Sequence, residues 1–144
     1  MPLPETSTVF KNITRSEDER GQILSIVDCD IKNVSIITCN KGSIRSNHYH
    51  HEDFHFMYVL KGSINYFFRS IENGELSLLK VKKGQTIFTP AREWHATHFP
   101  EQTQLIVSSK NERDAQTYER DTVREIIITE KNVKNYLEIC ARKF

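Results

Sequence analysis

Along the chain, apolar residues come in short runs separated by turn-forming residues, which is the rhythm of an all-β protein. After a polar stretch over residues 1–20, these runs predict strands over 23–28, 34–39, 44–50, 54–60, 63–69, 76–81, 85–89, 95–99, 104–108 and 124–129. Lys61-Gly62 and Asn73-Gly74 read as hairpin punctuation between them. Residues 110–120, KNERDAQTYER, have little apolar content and read as a loop or surface crossing. Val133, Tyr136, Leu137 and Cys140 then recur at helical spacing and predict a closing helix.

One run departs from simple alternation. In 54–60, His55, Met57 and Val59 alternate with Phe54, Phe56, Tyr58 and Leu60, so both faces of the strand are largely apolar. A strand with one face in water would alternate apolar with polar. Both faces must therefore be covered, one of them by another sheet, the closing helix or a second copy of the chain, and a homodimer is the expectation.

Composition narrows the classes. A chain of 144 residues has one-domain length and can bury a core. Lys and Arg number 20 against 19 Asp and Glu, and this net charge of +1 offers no long-range field to attract nucleic acid or an anionic membrane. No apolar run approaches the ~20 residues of a membrane span. The opening MPLPETSTVF lacks the basic and apolar regions of a secretory signal, so the expected location is cytoplasmic. Cys29, Cys39 and Cys140 are odd in number and too widely spaced for a zinc ribbon or a C-x-x-C motif, which fits packed, reduced thiols.

The candidate chemistry lies in residues 42–62, GSIRSNHYHHEDFHFMYVLKG, and in GQTIFTPAREWHATH further on. Side chains at i and i+2 of a strand share a face, so His48 and His50 can converge on one ion. His55 follows a turn at 51–53, and His95 joins only if a distant strand pairs nearby. Imidazole ligands suit a divalent transition metal, with zinc, iron, nickel, manganese and copper as candidates. His51 reads as a solvated loop residue, and His98 differs in parity from His95. Arg92 beside Trp94 is a candidate clamp for a carboxylate, phosphate or sugar, with Tyr49 as a further substrate contact.

At these residues the chain resembles the cupin superfamily. The first segment fits G-x5-H-x-H-x4-E-x6-G at every spacing, and the second fits G-x5-P-x-G-x2-H-x3-N through Gly84, Pro90 and His95. Three positions depart: His55 stands where the family has glutamate, Arg92 where it has glycine, and Phe99 where it has asparagine. The resemblance implies a double-stranded β-helix, the jelly-roll barrel, over 21–130. It is preceded by the polar segment 1–20 and followed by a short α-helix within 131–144 packed on the barrel. It also implies His48, His50 and His95 as metal ligands, with His55 in the place of the glutamate. Four neutral imidazoles would leave the ion's charge uncompensated and make it a stronger Lewis acid.

Within the cupins, the segments ERGQILSI, IRSNHYHH and QTYERDTVRE are similar to small single-domain proteins of bacterial surface-polysaccharide pathways, relatives of nucleotide-sugar epimerases and ketoisomerases. That similarity implies a keto-sugar nucleotide and a proton shift next to its carbonyl through an enediol, with the catalytic residue unassigned. Two other readings stand beside it. One is an Fe(II)-dependent dioxygenase using His48, His50 and His95, with or without His55, and the other is a non-enzymatic module that binds a metal or a small molecule.

Overall fold

The structure is a computed structural model and describes residues 2–72 and 74–142. Its elements are β1 (Thr8–Lys11), β2 (Ile13–Asp18), β3 (Gly21–Ser25), β4 (Asn33–Cys39), β5 (Ile44–His50), β6 (His55–Lys61), β7 (Ser63–Ser70), β8 (Ser77–Lys82), β9 (Gln85–Thr89), β10 (Glu93–His98), β11 (Thr103–Ser109), α1 (Ala115–Asp121), β12 (Thr122–Arg124) and α2 (Val133–Ala141). Ten strands form two five-stranded antiparallel sheets, ordered β1-β9-β6-β11-β4 and β12-β5-β10-β7-β8. This is the expected jelly roll of the cupin type. Among the described residues, β2 and β3 pair only with each other.

Alternation along the strands builds two cores. Met57, Val59, Leu105 and Val107 from the first sheet meet Ile64, Tyr66 and Val81 from the second in the interior. The opposite parity of the second sheet, Phe67, Trp94 and Ala96, forms a separate cluster with Ile128, Val133 and Cys140. The closing helix α2 therefore covers the β7–β10 side and leaves the outside of β6 to other groups. There Phe56 packs with Phe10, Phe54 and Phe88 at ring distances of 4.9–6.5 Å.

Four local expectations change. The polar segment 1–20 contains two strands, and β1 is hydrogen-bonded to β9 at the edge of the first sheet; four residues are too few to show a period. The loop expected over 110–120 turns into α1 from Ala115 onward, started by the Asp114 side chain accepting from the Thr117 amide. Seven residues make fewer than two turns, so helical spacing cannot repeat. Of the strand expected over 124–129 only Arg124 is in a ladder, as the last residue of β12, after which the chain bonds to the side chain of Asn47. Lys61-Gly62 is a corner between sheets rather than a hairpin, because β6 and β7 belong to different sheets. Gly62 has φ 91°, and a Cβ there would lie 2.3 Å from Thr103 Oγ1. The β7–β8 hairpin pairs Phe68 with Ser77 around the other expected turn, of which Asn73 lies outside the described residues.

Candidate active site: a buried histidine cluster

Two adjacent strands and one from the facing sheet bring the four histidines together. On β5, Ser46 and Asn47 take left-handed φ of 73° and 57°, where the ladder to β10 shifts register. Asparagine tolerates this region better than most residues. Asn47 then holds the chain's return: its Oδ1 accepts from the amides of Ile127 and Ile128, and its Nδ2 donates to the Ile128 carbonyl. Past this kink, His48 faces inward directly opposite His95 of β10. His55 reaches in from β6 on the other sheet.

The rings are close. Centroids are 4.6 Å apart for His48–His50, 4.8 Å for His48–His95, 5.2 Å for His55–His95 and 6.1 Å for His50–His55. Burial disfavours the charged form of each ring. It pushes His48 down to about 2, His95 to about 3 and His50 to about 4; like charge from neighbouring histidines adds to the effect at His48 and His95, while at His50 the Asp121 carboxylate opposes it and Arg113 adds to it. His55 is also held well below its ordinary value by burial.

Hydrogen bonds fix two tautomers. The Thr122 hydroxyl donates to the Tyr118 carbonyl at 2.5 Å, so its oxygen accepts from His50 Nδ1 at 3.2 Å. Asp121 Oδ2 stands 3.7 Å from the same nitrogen. The lone pair of His50 is thus on Nε2, on the side away from Thr122. For His95, Nδ1 lies 3.4 Å from the Glu93 carbonyl, which can only accept, and Nε2 has no partner among the described residues.

This donor set fits a metal ion. One ligand atom each from His48, His50 and His95 lies within 4.8 Å of the other two. Nitrogens around one tetrahedral zinc, at about 2.0–2.1 Å from it, stand about 3.3 Å apart, so a shift of about an ångström in the side chains completes the site. All three rings are neutral and buried, and a partner on the far ring nitrogen, as at His50 and His95, orients a ligating imidazole. His55 lies outside this closest triad, with Nδ1 unpartnered among the described residues.

The cavity beneath the cluster measures about 120 Å³. His48, His50 and His55 share its wall with Thr97, Arg113 and Tyr118, above a floor that includes Met57 and Phe99. Tyr118 lies against His48 and His50 at 6.2 and 5.5 Å, and Arg113 sits over the Tyr118 ring at 5.6 Å.

The expected substrate contacts are elsewhere. Trp94 and Tyr49 neighbour inward-facing histidines, so alternation turns both outward. Trp94 is fully buried under α2, donating Nε1–H to the Glu125 carbonyl, and Tyr49 packs on His51. Arg92 is exposed with φ 61°, the conformation that explains the glycine of the cupin motif, and its amide donates to the His50 carbonyl at 2.7 Å. His51 is exposed as expected. Arg113, Tyr118, Asp121 and Thr122 were hidden in the stretch read as a loop and at its end; the Asp114–Thr117 spacing of an N-cap was the available signal.

Residues 16–122 match a protein family described as polysaccharide biosynthesis C-terminal domain. No curated protein matches the chain. Among solved structures, a mutant of the 3,4-ketoisomerase QdtA from Thermoanaerobacterium thermosaccharolyticum, in complex with TDP-4-keto-6-deoxyglucose, is 18% identical over 99% of both chains, with a TM-score of 0.66. A 3,4-ketoisomerase from Helicobacter canadensis is 15% identical over 83% of this chain and 90% of that one, at a TM-score of 0.68. The dTDP-4-dehydrorhamnose 3,5-epimerase from Sulfolobus tokodaii is 15% identical over 90% of this chain and 86% of that one, at 0.67. At such identities the shared property is the fold.

Proposed function

Because the chain belongs to the polysaccharide biosynthesis C-terminal domain family, we propose that it is an isomerase or epimerase acting on a nucleotide-linked keto-sugar through an enediol. The observation that carries this reading is His50. Its Nδ1–H is held by Thr122 and faces Asp121, its Nε2 lone pair is free for a substrate, and burial keeps it neutral. Fold neighbours that are 3,4-ketoisomerases and a 3,5-epimerase of sugars support it.

The chemistry follows from these groups. His50 Nε2 takes the proton from the carbon beside the ketone, and the electron pair left behind moves onto the carbonyl oxygen to give the enediolate. When the neighbouring hydroxyl passes its proton to the former carbonyl oxygen and His50 returns the carbon-bound proton to the former carbonyl carbon, the ketone is relocated. Inversion instead takes a proton from solvent on the opposite face while His50 gives the abstracted one to solvent. The imidazolium formed in between is stabilised by the Asp121 carboxylate, as an acid–base histidine requires. Arg113 in the cavity wall offsets charge on the enediolate oxygen. At about 120 Å³ the cavity is far below the roughly 300 Å³ at which pockets begin to enclose a whole ligand, so the sugar ring enters and the nucleotide stays outside.

A divalent transition ion on His48, His50 and His95 (zinc, iron, nickel, manganese or copper) would polarise a bound carbonyl or enol oxygen. Ion and proton compete for the same Nε2 of His50, so metal dependence is decided by turnover with and without chelator. The triad also favours a second reading, an Fe(II) dioxygenase.

The test is solvent exchange. TDP-4-keto-6-deoxyglucose incubated with the protein in deuterium oxide takes up deuterium beside its carbonyl without oxygen, and His50→Ala lowers that rate by about 100-fold or more. Turnover only in the presence of oxygen selects the dioxygenase. Tight binding with no exchange selects a non-enzymatic module.

Assembly belongs to the same proposal: we infer a homodimer. An isolated two-stranded hairpin is marginal in water, and the β2–β3 hairpin exposes Ile13 and Ile23 at 65% and 61%. The edge strand β4 exposes Val34 and Ile36 at 60% and 67%. One isologous contact between two copies covers both.

A further inference from the structure

Glu93 opens β10 two residues before His95, and it is a buried carboxylate that the proposed chemistry leaves unused. It accepts three hydrogen bonds: from the Thr6 hydroxyl at 2.7 Å, from the Ser7 amide at 2.9 Å and from the Ser7 hydroxyl. All three donors are neutral and come from two consecutive residues just before β1. A buried charge is tolerable only while it is hydrogen-bonded. Withdrawal of residues 6–7 would strand it, so the carboxylate holds this strap in place.

The strap continues to the histidine. A hydroxyl has one proton to give. That of Ser7 goes to Glu93, so Ser7 Oγ accepts from the Tyr66 hydroxyl at 2.7 Å, and Tyr66 in turn accepts from Thr89 Oγ1 at 2.7 Å. The chain therefore runs in one direction, from Thr89 through Tyr66 and Ser7 to Glu93. The Tyr66 ring lies nearly parallel to His95, with centroids 6.0 Å apart and planes at 11°. Glu93 also presents its own carbonyl to His95 Nδ1 at 3.4 Å. Both the face and the Nδ1 edge of His95 thus rest on groups that the strap ties down.

We propose that Thr6 and Ser7, locked by Glu93 and Tyr66, are positioning residues for His95. They hold its ring in the Nδ1–H form with Nε2 unengaged. This inference rests on the histidine cluster being the working site, but not on which reaction or which ion that site serves.

The test therefore uses metal-free protein without substrate, labelled with 15N-histidine, and reads the tautomer of His95 from long-range proton–nitrogen correlations. Expected are a single Nδ1–H form in the wild type, doubling or loss of the His95 signals in Ser7→Ala and in Glu93→Gln, and recovery in Ser7→Thr. His51, exposed and remote from the strap, keeps its wild-type signals in every variant and reports that the fold is intact. Should Ser7→Ala fail to fold, Glu93→Gln and Tyr66→Phe give the same readout. An Nε2–H His95 in the wild type, or an unchanged His95 in the folded variants, overturns the proposal. Absence of sugar turnover alongside the expected signals overturns only the catalytic reading above.

Discussion

His48, His50 and His95 accept a proton less readily in the folded chain than outside it, since burial lowers them to about 2, 4 and 3 from an ordinary 6.5. The unfolded chain consequently binds more protons than the folded one between those values and 6.5. Stability then rises with pH across that window. It is fully present above about 6.5 and is lost progressively as the pH falls through about 4 toward about 2. The thermal midpoint of metal-free protein should decline from pH 7 to pH 4.5, and replacing His48 and His95 together with glutamine should flatten the decline. An equal decline in that double variant would place the proton uptake elsewhere. The histidines were legible from spacing, because i and i+2 share a strand face. The same parity, applied to Trp94 and Tyr49, turns each away from its histidine neighbour.

Among the elements, the kink in β5 links the site to the chain's return. Asn47→Ala removes an acceptor from two amides and a donor from one carbonyl while leaving φ at 57° to a residue that resists it. Stranded amides of this kind cost about 1–3 kcal/mol each when buried and are not additive, so a loss of about 2–4 kcal/mol is expected in urea unfolding. Asn47→Asp keeps the acceptor and should lose less. A loss equal to that of Asn47→Ala would show that the Nδ2 donation dominates. Longer strands were readable because four or more alternations accumulate in each. Short elements were not: β1, α1 and β12 have four, seven and three residues, and their positions are set by pairing and capping rather than by any period. Arg113 and Tyr118 carry no such period, since Arg113 precedes the α1 cap and Tyr118 lies within this short polar helix over the cavity.

For the whole molecule, two exposed apolar features lie on one chain, the β2–β3 hairpin and the edge of β4. If they cover each other across a two-fold axis, sedimentation should give twice the chain mass, and Ile23→Glu combined with Ile36→Glu should give a monomer. A wild-type chain that sediments as a monomer at micromolar concentration would refute the dimer. The jelly roll itself is legible in turn spacing and two motifs, whereas the division of outer surface between α2 on the second sheet and the Phe10, Phe54 and Phe88 rings around β6 is not. Both faces of β6 are apolar, and nothing local shows that α2 settles on the opposite sheet.

The clamp at Asn47 has a consequence for proteolysis. No covalent bond joins residues 127 and 128 to the cavity, yet their amides hold the residue next to His48. A nick after the exposed Glu125 or Ile126 would free that grip while leaving every imidazole in the chain. Ile127 and Ile128 thus act as a keeper for a site that lies some eighty positions upstream of them.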